Sequence, residues 1–123
     1  MVTVKRAYEP PDPSDGVRIL VDRLWPRGLK RDGAELRDWL RDVAPSPELR
    51  RWYGHDPDRF TDFAARYRRE LRDPSHAPAL ARLLDYVETE PVVTLVTATR
   101  DLAHAHTAVL VELIAADRTT DAG

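Results

Sequence analysis

Cysteine is absent from this chain of 123 residues. That absence excludes disulfides, thiolate metal ligands and a cysteine nucleophile, the phosphatase and rhodanese types included. It also fits a reducing compartment. Lysine is nearly absent: Lys5 and Lys30 stand alone, and the other cations are arginine. Arginine abundance of this kind follows from a GC-rich genome, so each arginine has to be judged by its position. No run of roughly 18 apolar residues is present, which excludes a membrane-spanning helix. Charged residues make up 33% of the chain, yet the net charge is -2. The cationic excess expected of a non-specific nucleic-acid binder is therefore missing. Glycine-rich phosphate loops, zinc-ligand spacings and a nucleophile elbow are missing too. The opening residues 1–6 are too short and too polar for a signal peptide, so the expected location is the cytoplasm.

What remains is 42% hydrophobic, enough for one ordinary core. We expect a single α/β domain over residues 3–117 and a polar tail over 118–123. Residues 3–7 alternate as a strand, and residues 9–16 form a loop rich in proline and aspartate. Residues 17–21 form a β-branched second strand. Leu36, Trp39 and Leu40 fall at helical spacing and predict a short helix over 34–41. Ser46-Pro47-Glu48 is a cap-plus-proline start for a helix that Gly54 ends. Phe60, Phe63, Ala64, Tyr67 and Leu71 then mark a strongly amphipathic helix, and another starts at Ser75. Residues 91–97 are apolar on both faces, as a central parallel strand requires. Asp101 is placed to cap a final helix. The order β, β, helices, β, helix predicts a small three-layer Rossmann-like α/β fold, its short, mainly parallel sheet flanked by helices. Three strands is few, so a fourth strand or a partner should complete the sheet.

Ligands in open parallel sheets bind beyond the carboxyl ends of the strands. Those ends carry Arg6 and Tyr8, then Asp22, Arg23, Trp25 and Arg27, then Thr97, Thr99, Arg100 and Asp101. Guanidiniums fork onto phosphate or carboxylate, and a helix N-terminus adds partial positive charge. An anionic ligand held by Arg23, Trp25, Arg27, Gly28, Arg100 and Thr97 is the natural reading. In the blander alternative, Asp22 and Asp101 pair with these arginines and brace the loop. His106 falls on the inner face of the last helix, either as a satisfied core residue or as a general acid or base. His55, between two helices, is either a helix cap or a mobile catalytic imidazole, and Arg50 beside it could face the pocket. Catalytic candidates are thus His106, His55, Asp22 and Asp101. His104 and His106, two residues apart, point to different faces and make a poor metal pair. No metal site is read, and the cofactor is left open.

Four stretches carry a family resemblance: Val-Asp-Arg-Leu-Trp-Pro-Arg-Gly at 21–28, Ala-Pro-Ser with Leu-Arg-Arg-Trp-Tyr-Gly-His at 44–55, Phe-x-x-Arg-Tyr-x-x-Glu-Leu at 63–71, and Thr-Leu-Val-Thr-Ala-Thr-Arg-Asp at 94–101. The chain resembles the YeaO-like branch of the domain-of-unknown-function 488 family over nearly its whole length. The resemblance implies a compact α/β fold in a bacterial or archaeal cytoplasm and no particular activity. The family's motif positions fall here on Asp22, Arg23, Trp25, Arg27, Gly28, His55, Arg100, Asp101 and His106. Where the family reads Asn-His-Ala, this chain has Ala105-His106-Thr107, which keeps the imidazole and loses an amide. Thr97-Ala98-Thr99-Arg100 replaces Tyr-Ala-Ala-Lys and keeps the cation.

Three functions remain in view. The first is an anion or nucleotide-like small-molecule site, of binding or hydrolase type. The second is a protein-interaction or regulatory module using the Arg/Trp loop, in which a homodimer would bury that loop. The third is single-stranded nucleic-acid binding through stacking and phosphate contacts, which the net charge disfavours. No membrane association is expected.

Overall fold

A computed structural model describes residues 1–122, with side chains described through residue 117. Four strands, β1 (Val2–Arg6), β2 (Val17–Leu20), β3 (Asp38–Trp39) and β4 (Val93–Thr97), form one sheet in the order β1-β4-β2-β3. Every pairing is parallel, with Val4 opposite Leu95 and Ile19 opposite both Leu95 and Asp38. The helices are α1 (Pro47–Tyr53), α2 (Phe60–Glu70), α3 (Ala77–Thr89) and α4 (His106–Ala122). The last runs into the segment read as a tail, whose side chains lie outside the described residues. Among the described residues, no helix is long and apolar enough to cross a membrane.

Strand alternation divides the interior into two parts. Ile19, Val21, Val93 and Leu95 face a core that takes in Tyr53, Phe63, Tyr67, Leu83, Val109, Leu110 and Ile114 from all four helices. Leu20, Val96 and Ala7 point the other way, against Trp25, Leu29, Leu36 and Trp39. The third layer is therefore the loop that follows β2, not a further set of helices. Burial of each large apolar side chain contributes about 1.5–3 kcal/mol.

The helix expected over 34–41 is absent. Its place is taken by β3, which hydrogen-bonds to β2, and a 3-10 turn over Arg41–Val43. The helical spacing misled because Leu40 enters the helical core while Leu36 and Trp39 pack on the opposite face of the sheet. This is the fourth strand that the sheet required.

The connection from β1 to β2 is clamped by polar groups. Asp15 accepts from Lys5 at 3.1 Å and from the buried Arg18 at 2.7 Å. Burial pushes its carboxyl upward, but the Asp12 backbone N–H, Lys5 and Arg18 outweigh this and hold it below its usual range. Gly16 has φ 62, and a Cβ there would stand 2.3 Å from the Val92 carbonyl oxygen. The turn fits against β4 only with glycine.

Candidate functional site

A cavity of about 970 Å³ opens beyond the carboxyl ends of β2 and β4. The loop after β2 supplies Asp22, Arg23, Trp25 and Arg27 to its wall, α1 supplies Arg50, Arg51 and Tyr53, and the approach to α4 supplies His104 and His106. Local sequence sets each of these surfaces. Ser46 caps α1, accepting from the Leu49 N–H at 3.1 Å, and Gly54 ends the helix at φ 55. Leu49 and Tyr53 are buried one turn apart, which leaves Arg50 and Arg51 on the outer side.

Asp22 is a strand-end brace. Its Oδ1 accepts from the Thr97 hydroxyl at 2.7 Å and its Oδ2 from the Ala98 N–H at 2.8 Å. Thr97 itself is buried behind it. Arg23 is a brace as well, though not to Asp22 or Asp101. It donates to the carbonyls of Ala44 at 3.0 Å and Pro45 at 3.3 Å, with Asp42 at 3.7 Å. Trp25 lines the cavity but is engaged in packing the loop. Its indole N–H donates to Leu29 at 2.8 Å, its ring meets Trp39 edge-on at 5.5 Å, and Arg31 lies 4.3 Å over it.

Of the four arginines that line the cavity, Arg27, Arg50 and Arg51 have no carboxylate beside them. All three are exposed and line the cavity, and none of their guanidiniums has a partner among the described residues. Arg51 was missed in the sequence because α1 alone does not tell which outer residue faces the cavity. Arg100, Asp101 and Gly28 lie outside the wall. Asp101 pairs instead with His104 Nδ1 at 2.7 Å, a hydrogen bond that holds its carboxyl below the usual range. It does not cap α4 through its side chain, because α4 begins five residues later.

His55 sits at the rim with φ 56, a left-handed conformation that is uncommon for a side-chain-bearing residue. His106 is the first residue of α4. Its Nε2 donates to the Val21 carbonyl at 3.0 Å and stands 3.5 Å from Asp22 Oδ1. Burial holds the imidazole below its ordinary value, with Asp22 working against that shift and Arg50 with it. No group of three or more metal-ligating side chains occurs among the described residues.

The family model described as the inactive DUF488-N3 subclade matches residues 1–122. The chain is 50% identical over 113 residues to the uncharacterised protein Rv3073c of Mycobacterium tuberculosis, covering 92% of each. It is 36% identical over 111 residues to the uncharacterised protein YeaO of Escherichia coli, covering 90% of this chain and 94% of that one. No solved structure matches.

Proposed function

The chain belongs to the YeaO-like DUF488 family, and on that premise we propose that it binds an anionic, nucleotide-like small molecule in the cavity at the strand ends. One observation carries the reading. The guanidiniums of Arg27, Arg50 and Arg51 line the cavity without partners among the described residues, while the one carboxylate in the wall, Asp22, has both oxygens already bonded. Three unpaired guanidiniums around a concave site favour phosphate or carboxylate.

Binding without turnover is the form we favour over a hydrolase. The Nε2 hydrogen of His106 goes to a backbone carbonyl, so Asp22 does not hold this imidazole as a catalytic dyad would. The family description, "inactive", points the same way. A thermal-shift panel of nucleotides, sugar phosphates, inorganic anions and divalent metals tests the reading. A ligand at about 100 times its dissociation constant adds about 2.7 kcal/mol. Stabilisation by phosphorylated compounds in wild type and its loss in Arg27→Ala support the site; a flat panel contradicts it.

Docking of a second copy across the cavity mouth is a second reading. It rests on Leu24 and Tyr8, exposed at 68% and 49% beside the opening. Sedimentation of wild type and Leu24→Glu over a concentration series separates it from the first: self-association lost in Leu24→Glu supports docking, and a monomer throughout removes it.

A further inference from the structure

His106 differs in kind from the arginines, Tyr53 and Asp22 of the cavity wall. Arg27, Arg50 and Arg51 only donate hydrogen bonds. The hydroxyl of Tyr53 donates to the His104 carbonyl at 2.6 Å, and both oxygens of Asp22 are occupied. The carbonyl oxygen of Val21 only accepts, so the contact at 3.0 Å places a hydrogen on His106 Nε2. In the neutral ring the lone pair then sits on Nδ1. Among the described residues nothing donates to Nδ1, and the residues on either side of His106 in the chain, Ala105 and the buried Thr107, offer it no donor. Asp22 and Arg50 are the charged groups that bear on the ring, the first favouring protonation and the second opposing it. Tyr67 packs against it edge-on at 6.1 Å.

We infer that the ligand combines its anionic group with a hydroxyl donor, as a phosphate monoester of a hydroxylated carbon chain or sugar does, and that His106 Nδ1 accepts from that hydroxyl. The inference rests on the anion-binding reading. Three guanidiniums hold the phosphate, and the acceptor on His106 distinguishes a hydroxylated ester from a bare anion. A neutral hydrogen bond of this kind corresponds to roughly tenfold in affinity. His106 is here a specificity-determining residue and needs no reaction.

Calorimetric titration with glycerol phosphate and propyl phosphate tests this, since the two share charge and chain length but only the first carries hydroxyls. Wild type should prefer glycerol phosphate by about tenfold. His106→Phe should bring the ratio close to one while propyl phosphate still binds. His106→Gln, which keeps a donor for Val21 and an acceptor for the ligand, should restore part of the preference. Should His106→Phe fail to fold, wild type supplies the test through pH. Protonation turns Nδ1 into a donor, so the preference should shrink on acidification from pH 7. Equal affinities in wild type, or a preference that survives in His106→Phe or is flat with pH, would overturn the assignment and leave the anion site standing. Failure of either phosphate to bind wild type would overturn both.

Discussion

His106 and Asp22 approach to 3.5 Å, yet each is held by a different part of the sheet. The imidazole hangs on the Val21 carbonyl at the end of β2, and the carboxylate on the Thr97 hydroxyl and Ala98 N–H at the end of β4. The pair resembles a catalytic dyad in distance and a structural clamp in bonding. The clamp fixes the floor of the cavity.

Asp22→Ala strips the Ala98 N–H of its acceptor and leaves the Thr97 hydroxyl only the Thr99 hydroxyl at 3.3 Å. Leaving part-buried donors unmatched costs about 1–3 kcal/mol each, and water entering the cavity offsets some of it. We expect a total loss of about 2–3 kcal/mol in urea unfolding. Asp22→Asn, which keeps one acceptor, should cost less. Equal stability of wild type and Asp22→Ala would remove the clamp.

The burial of His106 makes folding depend on pH. Its folded value lies below the unfolded one of about 6.5. Below that value the unfolded chain takes up a proton that the folded ring refuses. The contribution is therefore complete at pH 7 and is lost as pH falls from 6.5 through the depressed folded value. Denaturant midpoints of wild type and His106→Phe across pH 7.5 to 5 should show a smaller acid-side loss in the variant. The carboxylates Asp15 and Asp73, held below 3.8, act in a separate and more acidic window. Parallel curves for the two proteins would contradict the assignment.

Asp15 joins Lys5 on β1 to Arg18 on β2, and Arg18 is only 3% exposed. Asp15→Ala leaves that guanidinium buried with only the Ala34 carbonyl on its Nε. A broken buried pair costs about 3–5 kcal/mol, and the melting temperature should fall by about 4 °C for each kcal/mol. A shift of a degree or less would show that water replaces the carboxylate.

Gly16→Ala should cost about 2–3 kcal/mol, because a positive φ and a collision with the Val92 backbone coincide. Gly28→Ala, also at positive φ but with nothing within 4 Å, should lose only the conformational part, about 1 kcal/mol. Chemical unfolding of the two variants side by side distinguishes collision from φ preference.

Local chemistry was legible wherever it acts within a few residues. The Ser46–Pro47 start and Gly54 stop of α1, the apolar stripe of α2 and the two-sided burial of β4 all read directly from spacing. β3 did not, because two residues cannot display a period of two, and its pairing depends on the distant Ile19 and Leu20. The site divided in the same way. Strand ends brought Asp22, Arg23, Trp25, Arg27 and His106 to one cavity, as the parallel sheet predicts. Which arginines stay unpaired depended on the carbonyls of Ala44 and Pro45, which claim Arg23, and on helix orientation, which brings in Arg51. Neither is a local property of the sequence. Asp101 was expected at the helix cap, yet it pairs with His104 in a 3-10 turn that precedes α4.

The most direct test of the anion site is a titration of the labelled protein with a nucleoside monophosphate, following arginine side-chain Nε–H resonances by NMR. Saturable shifts are expected at Arg27, Arg50 and Arg51, and none at Arg100, which lies outside the cavity, or at Arg82, already paired with Asp38 at 2.9 Å. Absence of shifts at millimolar ligand, or equal shifts at Arg100, would contradict it.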